Sequence, residues 1–237
     1  MVYQKWIILI LLMALATCSD KAKKASYEGF SKDELQFISK FDHNLLNRMA
    51  RKSLSIERKE VSSVEQIRPL QKKQVKPVVY SQLFSTGYME KDHQKQVFIS
   101  QILPQILITK YYLNQQKEVL EMLISEDTLV VGDQFDQKQE FIERQMRKYG
   151  ANSAGELVER LTTHPTSLIL AQAAIESNWG STRSYAQANN PFHIISEDST
   201  DPRIKTFDQD GSVVYLKKYR DLPAAIADYF RNINRAE

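Results

Sequence analysis

The sequence predicts a mainly helical α+β chain, on three observations. Apolar residues recur at helical spacing through most of the stretch from about residue 94 to residue 176, and again after Asp221. Two short stretches, 203–207 and 212–219, are instead rich in β-branched and aromatic residues; they flank Asp208-Gln-Asp-Gly211 and read as a β-hairpin with a four-residue turn. At 237 residues and 42% apolar content, the chain can bury one sizeable core and carry an N-terminal extension.

Residues 1–18, MVYQKWIILILLMALATC, have a short n-region with Lys5, an apolar run from Trp6 to Ala16 and small residues ahead of Cys18. Such a run is too short to span a bilayer comfortably but suits a signal peptide, an uncleaved membrane anchor being the other reading. Leu15-Ala-Thr-Cys18 resembles a bacterial lipobox, with Thr17 a less usual residue before the cysteine. Cys18 is the only cysteine, so lipidation there would leave no thiol for a disulfide or for nucleophilic catalysis. The expectation is a lipid-anchored protein of the cell envelope. Because Ser19 rather than Asp follows the cysteine, it would lie at the periplasmic face of the outer membrane if the source has two membranes.

Residues 19–80 hold fourteen Lys or Arg against eight Asp or Glu, whereas residues 81–237 hold seventeen against twenty-one. The first region reads as a basic tether and helical extension, either lying on an anionic surface or serving as a solvated spacer. Within it Leu35, Ile38, Phe41, Leu45 and Met49 predict a helix over about 31–60, and residues 62–76 read as linker. From Gln94 to Ser125 an amphipathic pattern runs through Phe98, Ile102, Ile106, Tyr111 and Leu120, with Pro104 expected to kink or break it. A helix over 137–149 follows, closed by Gly150. Ser153-Ala-Gly-Glu156 has capping-box spacing and opens a short helix burying Leu157 and Leu161. The final helix starts near Asp221 as N-cap and carries Ile226, Tyr229, Phe230 and Ile233 on one face.

The most informative stretch is PTSLILAQAAIESNWG, residues 165–180. Pro165 suits a first helical turn, and Leu168, Ala171 and Ile175 predict a face that enters the core. Glu176 then stands where buried helix meets open chain, with Trp179 near enough to shield it if the helix continues that far. A carboxyl held against apolar surface has its charged form disfavoured, so it can keep a proton for a leaving group near neutral pH. The alternative is a solvated glutamate, or one paired with a cation such as Arg183.

AQAAIESNWG, followed by NNPF at 189–192, resembles the A-Q-x-x-x-E-S-x-W-G and N-N-x-F elements of the bacterial Bax-type glucosaminidases, relatives of the flagellar muramidase that cut peptidoglycan glycan strands. The resemblance covers about residue 80 to the end. It implies a lysozyme-like domain with a small β-hairpin lobe over 81–237 and a catalytic core at about 135–237. It makes Glu176 the general acid, Trp179 a packing residue beneath it, and Asn190 and Phe192 shapers of the cleft floor. Gln172, one turn before Glu176, would bond to the carboxyl or a sugar, or serve the structure alone. The family usually has Gly where this chain has His193, whose ring would narrow the cleft or replace a contact. It also tends to close on an N-P-x-Y or H-P-x-Y segment that brings a tyrosine to the site, and these 237 residues contain none.

Glycoside hydrolysis commonly needs a second group. Glu197, Asp198 and Asp201 in the following loop and Asp208 and Asp210 in the hairpin turn are available, although Asp in turns ordinarily serves local hydrogen bonding. Glu197 or Asp198 is the expectation, with the substrate's N-acetyl group as another source of the nucleophile. Histidines 43, 93, 164 and 193 lack metal-ligand spacing, so no metal or cofactor is expected. His164 instead helps set a helix start. No Gly-rich phosphate loop, nucleophile elbow or internal repeat occurs, and the basic residues lack the aromatic interleaving of a nucleic-acid module. The expected substrate is the peptidoglycan glycan strand, cut by a β-N-acetylglucosaminidase; a lytic transglycosylase and a non-catalytic glycan-binding lipoprotein are the rivals.

Overall fold

The computed structural model describes residues 30–41, 54–71, 74–125, 133–208 and 210–235. The signal-peptide and Cys18 expectations lie outside them. Among the described residues no helix is long and apolar enough to cross a membrane. The structure is mainly helical, with two small two-stranded sheets, as the α+β reading expected.

Helix α1 (Lys32–Phe41) falls within the helix expected over 31–60, of which residues 42–53 lie outside the described residues. Residues 57–59 instead form strand β1 (Glu57–Lys59), paired in parallel with β2 (Val78–Tyr80). The segment between, read as linker, makes a 3-10 turn at Val64–Gln66 and contributes Ile67 to a small apolar cluster with Val61, Val78 and Tyr80. The Val-Val-Tyr run favours an extended strand, and burial of all three residues holds it there. Helix α1 is docked rather than free. Phe37 stacks on Phe141 at 4.9 Å, Ile38 is fully buried, and Glu34 accepts a hydrogen bond from Gln145.

Helix α2 (Lys91–Ile124) runs unbroken through Pro104, contrary to the break expected there as one alternative. A mid-helix proline costs about 3 kcal/mol in isolation, but this one is buried in a helix packed on several sides. Phe98, Ile102, Ile106, Ile108, Leu113 and Leu120 are all buried, so α2 is a central helix rather than an amphipathic surface one. Some of its buried polar residues bond within the helix, Thr109 Oγ1 donating to the Gln105 carbonyl and Gln105 Nε2 to the Gln101 carbonyl, while Gln101 bonds to Phe84 and Gln116 accepts from Tyr149 OH.

Helices α3 (Asp133–Tyr149), α4 (Ala154–Arg160) and α5 (Thr166–Glu176) follow. Gly150 ends α3 at φ +68°, as expected. Ser153 caps α4 through the Glu156 N–H, while the Glu156 carboxylate reaches back to the Asn152 N–H, one residue beyond the usual box. The 181–200 stretch, expected irregular, holds helix α6 (Arg183–Ala188), with Thr182 as N-cap. The hairpin is present as β3 (Arg203–Phe207) and β4 (Val213–Lys217), with Phe207 opposite Val213 and Arg203 opposite Lys217. Helix α7 (Leu222–Ile233) is capped by Asp221 through the Ala224 N–H, and it buries Ile226 and Phe230. Its C-cap, Asn234, donates to the carbonyls of Arg160 and Thr162 and pairs with His164 at 2.7 Å, clasping α7 to the turn that starts α5.

Candidate active site

Helix α5 meets the core through Ile169, Ala173 and Ala174, whose small size lets it lie close against the central helix. The face expected to be buried is therefore the outer one. Leu168 is 45% exposed, Ile175 is 73% exposed and Ala171 is also exposed. Gln172 and Glu176 lie on this same side, one turn apart. An apolar stripe left open along a helix that ends in a carboxylate is the signature of a surface that something else covers.

Glu176 is the last residue of α5 because the chain turns left-handed directly after Ser177. Asn178, Trp179 and Gly180 have φ of 45°, 55° and 81°. Ser177 Oγ donates to the Ala173 carbonyl (2.6 Å) and accepts from the Gly180 N–H (2.9 Å), and the Trp179 N–H donates to the Ala174 carbonyl (2.7 Å). Thr86 clasps the turn from outside, its hydroxyl donating to the Trp179 carbonyl and its N–H to that of Gly180. Three successive left-handed residues explain the S-x-W-G sequence: a Cβ at Gly180 would lie 2.9 Å from Thr86 Oγ1 and 3.0 Å from Tyr185 Cε1.

The turn also corrects the expected shield. Since α5 stops at Glu176, Trp179 does not continue its face; the indole packs edge-on against Phe98 at 5.6 Å, with Lys95 above it. Trp179 is thus a packing residue of the α2–α5 junction. Glu176 is exposed and forms no ion pair with a described residue. Arg183, the alternative partner, bonds instead to Gln187 and to the Lys205 carbonyl. Gln172 makes no hydrogen bond to Glu176 or to another described residue, which leaves its amide open to a ligand.

The group that stands near Glu176 comes from α7. Tyr229 is half-buried and stacks on Phe192 at 4.1 Å and 16°. Its phenol is pushed above the ordinary tyrosine range, by burial first and then by the Glu176 charge. The structure therefore brings together Glu176, Tyr229 and the Phe of N-N-x-F. Sequence reading placed Tyr229 only on a core face; the available signal was Asp228 beside it, a charge inside an apolar stripe. Asp228 is buried and accepts from Tyr219 OH (2.6 Å), Arg231 (2.9 Å) and Lys217 Nζ (3.2 Å). Burial, with Asp228 adding to it, drives the Tyr219 phenol far up, and burial pushes Arg231 down to about 10. Adjacent residues of α7 thus hold the hairpin and feel the charge of the candidate acid.

The other expected residues divide. Asn190 is fully buried and serves the structure: its amide donates to the carbonyls of Ile194 and Lys217 and accepts from the Ile194 N–H, so it contributes no free group to a substrate. His193 is exposed with φ +56°, the left-handed conformation that favours glycine, which accounts physically for the glycine usual in N-N-x-F-G. Residues 194–196 then run beside β4, the Ser196 N–H donating to the Tyr215 carbonyl. Glu197 and Asp198 follow, both exposed. The Asp198 carboxylate accepts from the N–H and hydroxyl of Thr200 (2.8 Å each), which hold it below the usual range, with Arg203 adding a smaller effect. Asp198 closes its own turn. Glu197 makes no hydrogen bond to a described residue.

Residues 151–237, which span α4 to α7 and the hairpin, match the family model of mannosyl-glycoprotein endo-beta-N-acetylglucosaminidase. This region is similar to that glucosaminidase family. No curated protein and no solved structure matches the chain. The family match supports glycosidase chemistry of the peptidoglycan-related kind for this region. Its signature helix is nevertheless buttressed from outside the match, because α2 supplies Phe98 against Trp179, and Gln94 reaches Ser181 at 2.8 Å. Among the described residues no cluster of three or more His, Cys, Asp or Glu is placed to hold a metal ion.

Proposed function

We propose that this domain hydrolyses β-1,4 glycosidic bonds of the peptidoglycan strand as a β-N-acetylglucosaminidase, with Glu176 as proton donor. The observation that carries this is an exposed Glu176, without an ion pair among the described residues, at the end of an open apolar helix face, its charge acting on Tyr229, which stacks on Phe192. A sugar strand laid on Leu168 and Ile175 would meet Gln172 and then Glu176, and would itself exclude water from the carboxyl. Glu176 gives its proton to the departing glycosidic oxygen as the bond to the anomeric carbon breaks. Water adds to that carbon and loses its proton to a base. Of the two carboxylates expected as second group, Glu197 is the one without a hydrogen bond to a described residue, whereas Asp198 is engaged by Thr200. Tyr229 supplies a neutral phenol that can donate a hydrogen bond to Glu176 or to substrate.

The lipobox-like Leu15-Ala-Thr-Cys18 supports an envelope location through a lipid anchor at Cys18, where such a substrate lies. Digestion of purified sacculi followed by reduction and mass spectrometry tests the reaction. Fragments with a reducing N-acetylglucosamine end are expected. Anhydro-sugar ends would assign a lytic transglycosylase instead, and bound protein with no released fragment would assign glycan binding alone.

A further inference from the structure

We propose that the outward face of the β3–β4 hairpin is a binding surface for the carboxylate-bearing peptide branches of the strand. This rests on the peptidoglycan reading of the site. In the observed register Arg203, Lys205 and Phe207 share one face with Val213, Tyr215 and Lys217. Three of these six are cations and none is acidic. Arg203 lies directly opposite Lys217, an arrangement that costs stability in a two-stranded ribbon unless an anion accompanies it. Lys217 has such a partner in Asp228, and Asp198 lies near Arg203, but Lys205 has no ion pair among the described residues.

The geometry leaves the cationic groups presented outward. The Arg203 guanidinium lies 4.0 Å from the Tyr215 ring centre, and Lys205 Nζ lies 5.2 Å from that of Phe207. A stacked guanidinium keeps its N–H edge free for a carboxylate, which is how arginine recognises planar anions. At the tip, Phe207 is 64% exposed and Val213 48% exposed, a small apolar surface beside the charges. At the base, an open cleft of about 270 Å³ between the hairpin and α7 is lined by Lys217, Lys218, Arg220 and Arg231 and by Asp201 and Asp228, with Asp228 paired to Lys217 and Arg231. Residues 81–237 carry more acidic than basic side chains, so this concentration of cations runs against the charge of its surroundings.

Charge complementarity identifies the occupant as an acidic peptide. Glycan itself is neutral along its sugar rings, whereas the branches on alternate sugars end in carboxylates. The face joins α7 through Lys217 and Asp228, the residue before Tyr229, whose phenol feels the Glu176 charge, so a strand in the groove would bring its branches to the hairpin.

Sedimentation with intact sacculi and with sacculi whose peptide carboxylates have been amidated tests this without relying on turnover. Amidation should weaken wild-type binding roughly tenfold, and the Arg203→Gln/Lys205→Gln protein should show that same loss on intact sacculi with no further loss on amidated ones. Lys205→Gln alone, a change at an exposed side chain, should give part of the effect with an unchanged melting temperature. Equal binding of variant and wild type to intact sacculi, or indifference of the wild type to amidation, would overturn the proposal. Failure of the hydrolysis reading would appear separately, as absent fragments with this binding pattern intact.

Discussion

Replacing Asp228 by asparagine should separate the hairpin from α7 more than any other single polar change. The carboxylate is about 9% exposed and accepts from three donors, of which Arg231 is 17% and Lys217 29% exposed. Asparagine keeps the shape and one acceptor but removes the charge. Lys217 can turn to water, so little is assigned to it. Arg231 cannot do so readily, being desolvated and adjacent to the Arg235 charge, and Tyr219 loses a charge-assisted acceptor. Breaking a buried pair costs about 3–5 kcal/mol, and partial exposure brings this to about 3 kcal/mol. For a folded unit of this size each kcal/mol shifts Tm by roughly 2–4 °C, so a fall of about 6–12 °C is expected in a thermal scan monitored by circular dichroism. A change under about 2 °C would show that Asp228 is not the tie between hairpin and helix.

Gly180→Ala should cost about 3 kcal/mol or more, since it combines a left-handed φ with a Cβ 2.9 Å from Thr86 Oγ1; denaturant titration measures it. His193→Gly should leave glycan cleavage unchanged and raise stability by about 0.5 kcal/mol, the relieved strain of 1–2 kcal/mol exceeding the added chain entropy; a loss of stability would mean the ring makes a contact that matters. Glu156 is held below its ordinary value, first by the Asn152 N–H and then by Arg160. Its contribution is therefore complete above the ordinary glutamate value of 4.5 and lost as pH falls through the lowered one, so the protection of amides at the start of α4, taken relative to the intrinsic exchange rate at each pH, should fall in acid. The Glu156→Gln protein should lack that acid-dependent step.

Local signals were the legible ones. Ser153 and Glu156, Asp221, Gly150 and the strands around Asp208–Gly211 act within a few residues of themselves, and the structure shows the elements they predict. Hidden from a periodicity reading were the features set by tertiary context. Helix α2 is buried on several sides, so its pattern carries no single apolar face, and Pro104 is tolerated because neighbours hold the helix. Helix α5 inverted the usual inference: Ile169 and two alanines face the core, while Leu168 and Ile175 stay outside, a choice that hydrophobicity alone cannot make. The Glu176 position was legible from its setting at a helix end, but its neighbour Tyr229 was not, because only the packing of α7 beside N-N-P-F brings the two together. The three left-handed residues after Ser177 likewise decide that Trp179 packs on Phe98 rather than over the acid.

The central claim is that Glu176 delivers the proton, and the most direct measurement is reducing-sugar release from purified sacculi by Glu176→Gln beside the wild type. Glutamine keeps the size at an exposed position, so the protein should melt at the wild-type temperature and sediment with sacculi as before. General acid catalysis is worth about a hundredfold to ten-thousandfold, and release should fall by that factor. Release at the wild-type rate, from a variant that folds and binds normally, would contradict the assignment of Glu176 as the acid.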